Sequence, residues 1–256
     1  MILATNDDGI FAPGLWALVR ELKLLDSVTA AAPDREQSAT GTGITLRQPL
    51  RVRTATALEP DVNTYGVEGT PGDSVIMALE RLATDARAVI SGINNGHNMG
   101  DDILISGTVG AALQGYLRGL PAIAMSIEEP SPDNFATAAR LGRILLKRIF
   151  DGVLPADIFL NVNVPDVPLD KIKGVMVAQP AHKTHIDSVK EGSDGRREYF
   201  WLVRRKLDRQ PSDSSDIWAI EHDYIAITPL HTALFRRPSP EMGPDVCAGI
   251  FEELCQ

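Results

Sequence analysis

The chain has 256 residues, 44% of them hydrophobic and 23% charged, ordinary proportions for a globular protein. Its 34 acidic residues against 25 basic give a formal charge of −9, the wrong field for generic binding to a nucleic-acid duplex or an anionic membrane. A small anionic substrate remains compatible, because a bound cation inverts the potential locally.

Met1-Ile2-Leu3-Ala4 reads as a short apolar strand. No basic region precedes it and no long apolar run follows, so no secretory signal is expected. Pro13 suits the first turn of a helix, and Leu15, Leu18, Val19, Leu22 and Leu25 follow at helical spacing. Residues 28–32 form a second strand stopped by Pro33. Residues 45–65 are strand-like without an obvious helix. Pro71 opens another helix with Val75, Ile76, Leu79 and Leu82 on one face, and Ala88-Val89-Ile90 is a third strand ending at Ser91-Gly92. A helix over 107–117, a strand over 122–127, an amphipathic helix over 135–150 and a strand over 159–164 continue the alternation. Residues 174–213 combine Val175-Met176-Val177, a turn at 192–195 and an apolar run at 199–203, the composition of a hairpin. Residues 204–215 read as an exposed connection. One helical turn at Ile217-Trp218-Ala219-Ile220 and a late strand over 224–228 follow.

Cys247 and Cys255 lack metal-ligand spacing and suit a reducing compartment. No stretch reaches the ~18 apolar residues of a membrane helix. A cytoplasmic protein with no membrane partner is expected. Strands alternating with helices and apolar on both faces predict an α/β fold with a parallel sheet covered on both sides. Residues 1–256 read as one domain with an arm at about 174–215.

In such sheets ligands bind beyond the carboxyl ends of the strands. Three suspicious loops lie there: Asn6-Asp7-Asp8-Gly9, residues 35–40 and residues 91–102. Past a strand end, a turn freed by Gly9 brings Asp7 and Asp8 toward one point. Two carboxylates at one point repel unless a cation or proton intervenes. The surrounding carboxylates, hydroxyls and amides favour a hard cation such as Mg²⁺ or Mn²⁺. The same four residues also make a good turn and helix entry, so alone they weigh evenly between the two readings. Ser106-Gly107-Thr108 enters a helix, where hydroxyls and N–H groups hold phosphate oxygens, although Ser106 also fits as a plain N-cap. No Gly-Lys-Ser/Thr follows, which disfavours ATP hydrolysis of the P-loop kind. Asp101-Asp102 reads as loop-stabilising or as a support behind the metal ligands rather than a second metal site, and His182 and His185 read as surface residues. The sequence lacks a Gly-x-Ser-x-Gly elbow, HExxH, and the Asp-x-Asp-x-Thr of covalent aspartyl phosphatases.

The motifs are more specific together. Asn6-Asp7-Asp8-Gly9, Ala12-Pro13-Gly14, Ala32-Pro33-Asp34-Arg35 with Ser38, and Gly69-Thr70-Pro71-Gly72-Asp73-Ser74-Val75 come first. Ser91-Gly92-Ile93-Asn94-Asn95-Gly96, Asn98-Met99-Gly100-Asp101-Asp102 and Ser106-Gly107-Thr108-Val109 follow in order. Leu160-Asn161-Val162-Asn163-Val164-Pro165 and Ile225-Ala226-Ile227-Thr228-Pro229-Leu230 extend the match to about residue 235. The chain thus resembles the SurE family, the stationary-phase survival proteins, which are metal-dependent 5′/3′-nucleotidases.

The resemblance implies a three-layer α/β/α, Rossmann-like, mostly parallel sheet, with a β-hairpin and a C-terminal segment that build homodimers or homotetramers. It implies one divalent cation, Mg²⁺ or Mn²⁺, held by Asp7, Asp8, Ser38 and Asn94. It also implies phosphate contacts from Ser106, Gly107, Thr108 and Asn98. The implied activity is hydrolysis of nucleoside 5′- and 3′-monophosphates, with Asp7 or Asp8 orienting or deprotonating the attacking water. A nucleotide-binding module without turnover is the alternative. The departures are Ala178-Gln179-Pro180-Ala181-His182 where Thr-Arg-x-Gly is usual, and Ser214-Ser215-Asp216 in place of Gly-Thr-Asp. They leave the metal set intact and bear on substrate preference and assembly.

Overall fold

The computed structural model describes residues 1–128, 132–182, 185–206 and 211–232. Cys247, Cys255 and the C-terminal oligomerisation segment lie outside the described residues. A nine-stranded sheet forms the centre, in the order β3-β4-β2-β1-β5-β6-β7-β11-β8. Its inner strands are β1 (Ile2–Thr5), β2 (Val28–Pro33), β4 (Asn63–Val67), β5 (Val89–Asn95), β6 (Ala122–Ile127) and β7 (Phe159–Val164), all parallel. On one side β3 (Val52–Thr54) adds antiparallel to β4. On the other, β11 (Tyr224–Pro229) pairs antiparallel with β7 and parallel with β8 (Gly174–Val177). A separate antiparallel hairpin joins β9 (His185–Ser193) to β10 (Glu198–Lys206).

Helices cover both faces because each inner strand is apolar on both. On one side α1 (Pro13–Leu22) and α4 (Pro132–Phe150) bury Leu15, Trp16, Leu18, Leu145, Leu146 and Ile149 against Ile2, Ala4, Ile90, Ile123 and Met125. On the other, α2 (Pro71–Met77) and α3 (Gly107–Tyr116) cover Leu3, Ala31, Val89, Ala122 and Ala124. The alternation Ile2/Leu3/Ala4 between the two cores is the period of two that a doubly covered strand requires. Small residues dominate the second face, and a Cβ on Gly115 of α3 would lie 2.5 Å from the Val89 side chain. The backbone of α3 therefore lies close to the sheet, which brings its first turn beside the end of β1.

Most predicted elements stand where the sequence places them, with three differences. The Val175-Met176-Val177 run is not part of the hairpin: β8 joins the main sheet beside β11, and only 185–206 form the arm. Within 45–65 only two short strand segments form, Val52–Thr54 and the start of β4. The third predicted strand does not stop at Ser91-Gly92, because β5 runs on to Asn95 through a bulge at which pairing skips from Ser91 to Asn94. Among the described residues no helix is long and apolar enough to cross a membrane.

Candidate active site

The site lies at the carboxyl ends of β1 and β5, where the turn after β1 meets the start of α3. Asn6 closes that turn by exchanging two hydrogen bonds with Gly9, each 3.1 Å, and Gly9 sits at φ 107°. The next loop is fastened to it: the Gln37 N–H donates to the carbonyl of Asp7 at 2.8 Å. This bond brings Ser38 beside the acidic pair.

Asp7 is 4% exposed and receives the Thr108 hydroxyl on Oδ1. A Cβ on Gly107 would stand 2.9 Å from both Cβ and Oδ2 of Asp7, so only glycine admits the carboxylate against the helix start. Asp8 is less buried, and its Oδ2 accepts the Asn95 N–H at 3.3 Å. Burial raises the pKa of Asp7, against hydrogen bonds from Thr108 that lower it. Burial and the neighbouring Asp7 push Asp8 up to about 6.

A cavity of about 230 Å³ is lined by Asp7, Ser38, Asn94, Asn95, His97, Asn98, Asp102 and Ser106, among others, and no lysine or arginine lines it. Three of the four expected ligands, Asp7, Ser38 and Asn94, thus share one cavity. Asp8 borders the adjoining hollow of about 270 Å³ with Ala12, Pro13, Gly14, Asn95 and Phe135. The Asn94 amide donates to the Gly96 carbonyl at 2.7 Å, which leaves its oxygen available. The Ser38 hydroxyl donates to Glu36 Oε1 at 2.6 Å. No cluster of three His, Cys, Asp or Glu suited to a metal occurs among the described residues, in keeping with a set of two carboxylates, a hydroxyl and an amide. Adjacent carboxylates, one buried in a cavity whose described lining holds no lysine or arginine, beside a hydroxyl and an amide, are the donor chemistry that a hard divalent cation satisfies.

The expected phosphate loop opens α3. Ser106 caps α3, accepting the Val109 N–H at 3.1 Å, and its own hydroxyl hydrogen is not used by that bond. The Thr108 hydroxyl is spent on Asp7, so what Thr108 offers a phosphate is its backbone. Asn98 is anchored by its backbone to the amides of Asn161 and Asn163, at 2.8 and 3.0 Å, and by its side chain to Ser126.

Several neighbours lie beyond the expected ligand and phosphate sets. Glu36, which raises the pKa of both aspartates, sits two residues before Ser38, inside a loop already under suspicion. His97 is 5% exposed at its side chain; its Nε2 lies 2.8 Å from the Val164 carbonyl and its Nδ1 faces Glu128 at 3.4 Å. Asn161 and Asn163 are polar residues in a buried strand, the one signal that marked them. Asp102 lines the cavity directly, a closer place than the loop-stabilising role read from the sequence.

Comparison with known proteins decides the family. The model described as "Survival protein SurE" matches residues 2–187. The chain belongs to the SurE family. It is 52% identical to the 5′-nucleotidase SurE of Dehalococcoides mccartyi strain CBDB1, over 97% of this chain and 95% of that protein. The 5′-nucleotidase SurE of Heliobacterium modesticaldum is 41% identical over 90% of this chain and 85% of that protein. Among solved structures, the SurE protein of Aquifex aeolicus superimposes with a TM-score of 0.78 at 33% identity, covering 92% of this chain and 94% of that one.

Proposed function

We propose that this SurE-family chain is a divalent-cation-dependent phosphomonoesterase that removes phosphate from nucleoside 5′- and 3′-monophosphates. The observation that carries the reading is the adjacent pair Asp7-Asp8, with Asp7 buried against the first turn of α3 in a cavity whose described lining holds no lysine or arginine. Membership in a family whose relatives are named 5′-nucleotidase supports it.

Asp7, Asp8, Ser38 and Asn94 hold one Mg²⁺ or Mn²⁺ per subunit; when bound, it neutralises phosphoryl charge and activates water. Asp7 is locked by Thr108 and by its packing on Gly107, and serves as a fixed ligand. Asp8 has one oxygen on the Asn95 N–H, and its other oxygen orients the attacking water or takes its proton. The first-turn N–H groups of Gly107 and Thr108, with the Ser106 hydroxyl, point donors and the positive end of the helix dipole at the phosphate. The Ser126 hydroxyl can donate as well as accept, so an Asn98 amide turned over on it presents its NH₂ to the same phosphate.

Residues 1–256 act as one cytoplasmic domain in this reading. Copies associate through the arm, where Tyr199, Phe200, Trp201 and Leu202 are exposed. Dimer and tetramer differ in mass and separate by light scattering.

Phosphate release from a panel of nucleotides, with Mn²⁺ or Mg²⁺ and with or without chelator, tests the activity. Turnover of monophosphates that chelator abolishes is expected. Binding without turnover under every metal indicates a regulatory module instead. Asp8→Asn is expected to lower activity by about a hundredfold or more and to weaken Mn²⁺ binding in calorimetry, with the circular dichroism unchanged.

A further inference from the structure

Asp216 is a buried carboxylate that the proposed chemistry does not use. It is 0% exposed, and its recorded hydrogen bonds come from backbone N–H groups rather than a cationic side chain. Oδ2 accepts Gly100 N–H at 2.8 Å, while Oδ1 accepts Ala181 N–H at 3.0 Å and Ile217 N–H at 2.9 Å. Three chain segments far apart in sequence therefore meet on one side chain.

Each segment has a distinct place. Gly100 opens the 3₁₀ turn Gly100–Leu104, whose Asp102 carbonyl accepts the Ser106 N–H at 3.0 Å, immediately before the phosphate loop. Two residues upstream, Asn98 is held by Asn161 and Asn163. Ala181 lies at the foot of the arm, just before β9. Asp216 opens α5 (Asp216–Glu221) on the return from the arm, where Gln179 N–H donates to Ser214 at 2.9 Å and Asp216 N–H donates to Gln179 at 3.0 Å. The foot of the arm is thus closed by its own backbone bonds, and Asp216 is the side chain that extends this closure to the turn before Ser106.

We propose that Asp216 is a positioning residue for phosphate binding, fastening the turn Gly100–Leu104 to the foot of the β9–β10 arm so that Ser106 and Asn98 are held in register. A carboxylate suits this place because it is acceptor-only and meets donors on both oxygens. Asparagine keeps the shape but sets an NH₂ against an N–H, leaving a buried donor unsatisfied. The metal ligands lie on other segments, after β1, after β2 and in β5; Asp7 touches the phosphate loop through Thr108 and Gly107, but its own turn is closed separately by Asn6 and Gly9.

The inference rests on the reading of the 98–108 segment as the phosphate site. The experiment measures inorganic phosphate binding in saturating Mn²⁺, and separately Mn²⁺ binding alone, by calorimetry on the full chain and on Asp216→Asn. The expected result is a phosphate Kd and a nucleotide KM raised by about tenfold, with Mn²⁺ affinity within about twofold of wild type. Unchanged phosphate affinity in the folded variant overturns the link alone, and Mn²⁺ affinity falling in step with phosphate reduces Asp216 to general stability. A wild-type protein that binds Mn²⁺ but not phosphate overturns the phosphate reading and the link with it. Hydrogen exchange on the wild type gives a second readout independent of the variant's folding. Phosphate is expected to slow exchange at Gly100 and Ala181 together, and slowing at Gly100 without Ala181 contradicts the fastening.

Discussion

Alongside Asp7 and Asp216, whose pKa values burial also raises, Asp8 contributes to the pH behaviour of the cation-free protein. Its folded pKa of about 6 stands above that of the unfolded chain, so the folded state holds an extra proton between the two values. Stability from this group is fully present below the unfolded pKa and is lost as pH rises through the folded one. Thermal denaturation of chelator-treated protein is expected to show the advantage of Asp8→Asn over wild type growing from about pH 4 to about pH 6, then levelling. A difference that stays constant across the window would contradict the burial of this carboxylate. In the proposed reading, added Mn²⁺ is expected to remove the penalty by occupying the pair. Gly107 gives a second prediction. Gly107→Ala forces a Cβ to 2.9 Å from Asp7, so Mn²⁺ affinity is expected to fall about tenfold, and folding stability by about 1–3 kcal/mol. Calorimetry and denaturant melts measure the two separately. At this scale the sequence displayed the polar residues of three suspect loops, and Asp7, Ser38 and Asn94 do share a cavity. It did not display Glu36, because an exposed loop glutamate carries no spacing signal until the loops fold against each other, and it gave His97 a place near the site but no role.

Helix α3 shows how an element can serve folding and chemistry with the same atoms. Ser106 is both its N-cap and a proposed phosphate donor, whereas Thr70 caps α2 through a reciprocal box with Asp73 outside the 230 Å³ cavity. Ser106→Ala and Thr70→Ala are each expected to cost about 1 kcal/mol in denaturant melts. Only Ser106→Ala is expected also to raise the nucleotide KM severalfold; equal KM values for the two variants would leave Ser106 a cap and nothing more. Helix periodicity and the apolar inner strands were legible because their burial is local in pattern. The extent of β5 was not, since Asn94 and Asn95 read as loop residues and enter the strand only through pairing with Ser126 and Ile127. The place of β8 was equally hidden, because its partner β11 comes after the whole arm and nothing nearby in sequence announces it.

For the molecule as a whole, the feature with most bearing on assembly is the arm. Val189, Phe200, Trp201 and Leu202 stand exposed on a two-stranded hairpin, and isolated hairpins are marginal in water. Replacing residues 185–206 by a short Gly/Ser turn is expected to leave the nine-stranded sheet folded and to lower the particle mass toward that of one chain. Light scattering at matched concentration checks this. A mass unchanged by the deletion places the contact elsewhere. The parallel sheet with two helical layers was readable from composition and period alone. The reversal at β11, which lets the chain return to the sheet after the arm, was not, because strand direction is decided by where the connection lands rather than by the strand's own residues.

The absence of lysine and arginine from the lining of the 230 Å³ cavity has a kinetic meaning. Without a cation, a phosphate dianion entering this cavity meets Asp7 and Asp102, with a helix end, amides and His97 but no lysine or arginine among the described lining residues. From the proposed site, binding is expected to be ordered, cation first and nucleotide second. Product phosphate inhibition should deepen as Mn²⁺ is raised and vanish as it is withdrawn. Sensitivity to both substrate and product is then expected to follow the supply of divalent cation.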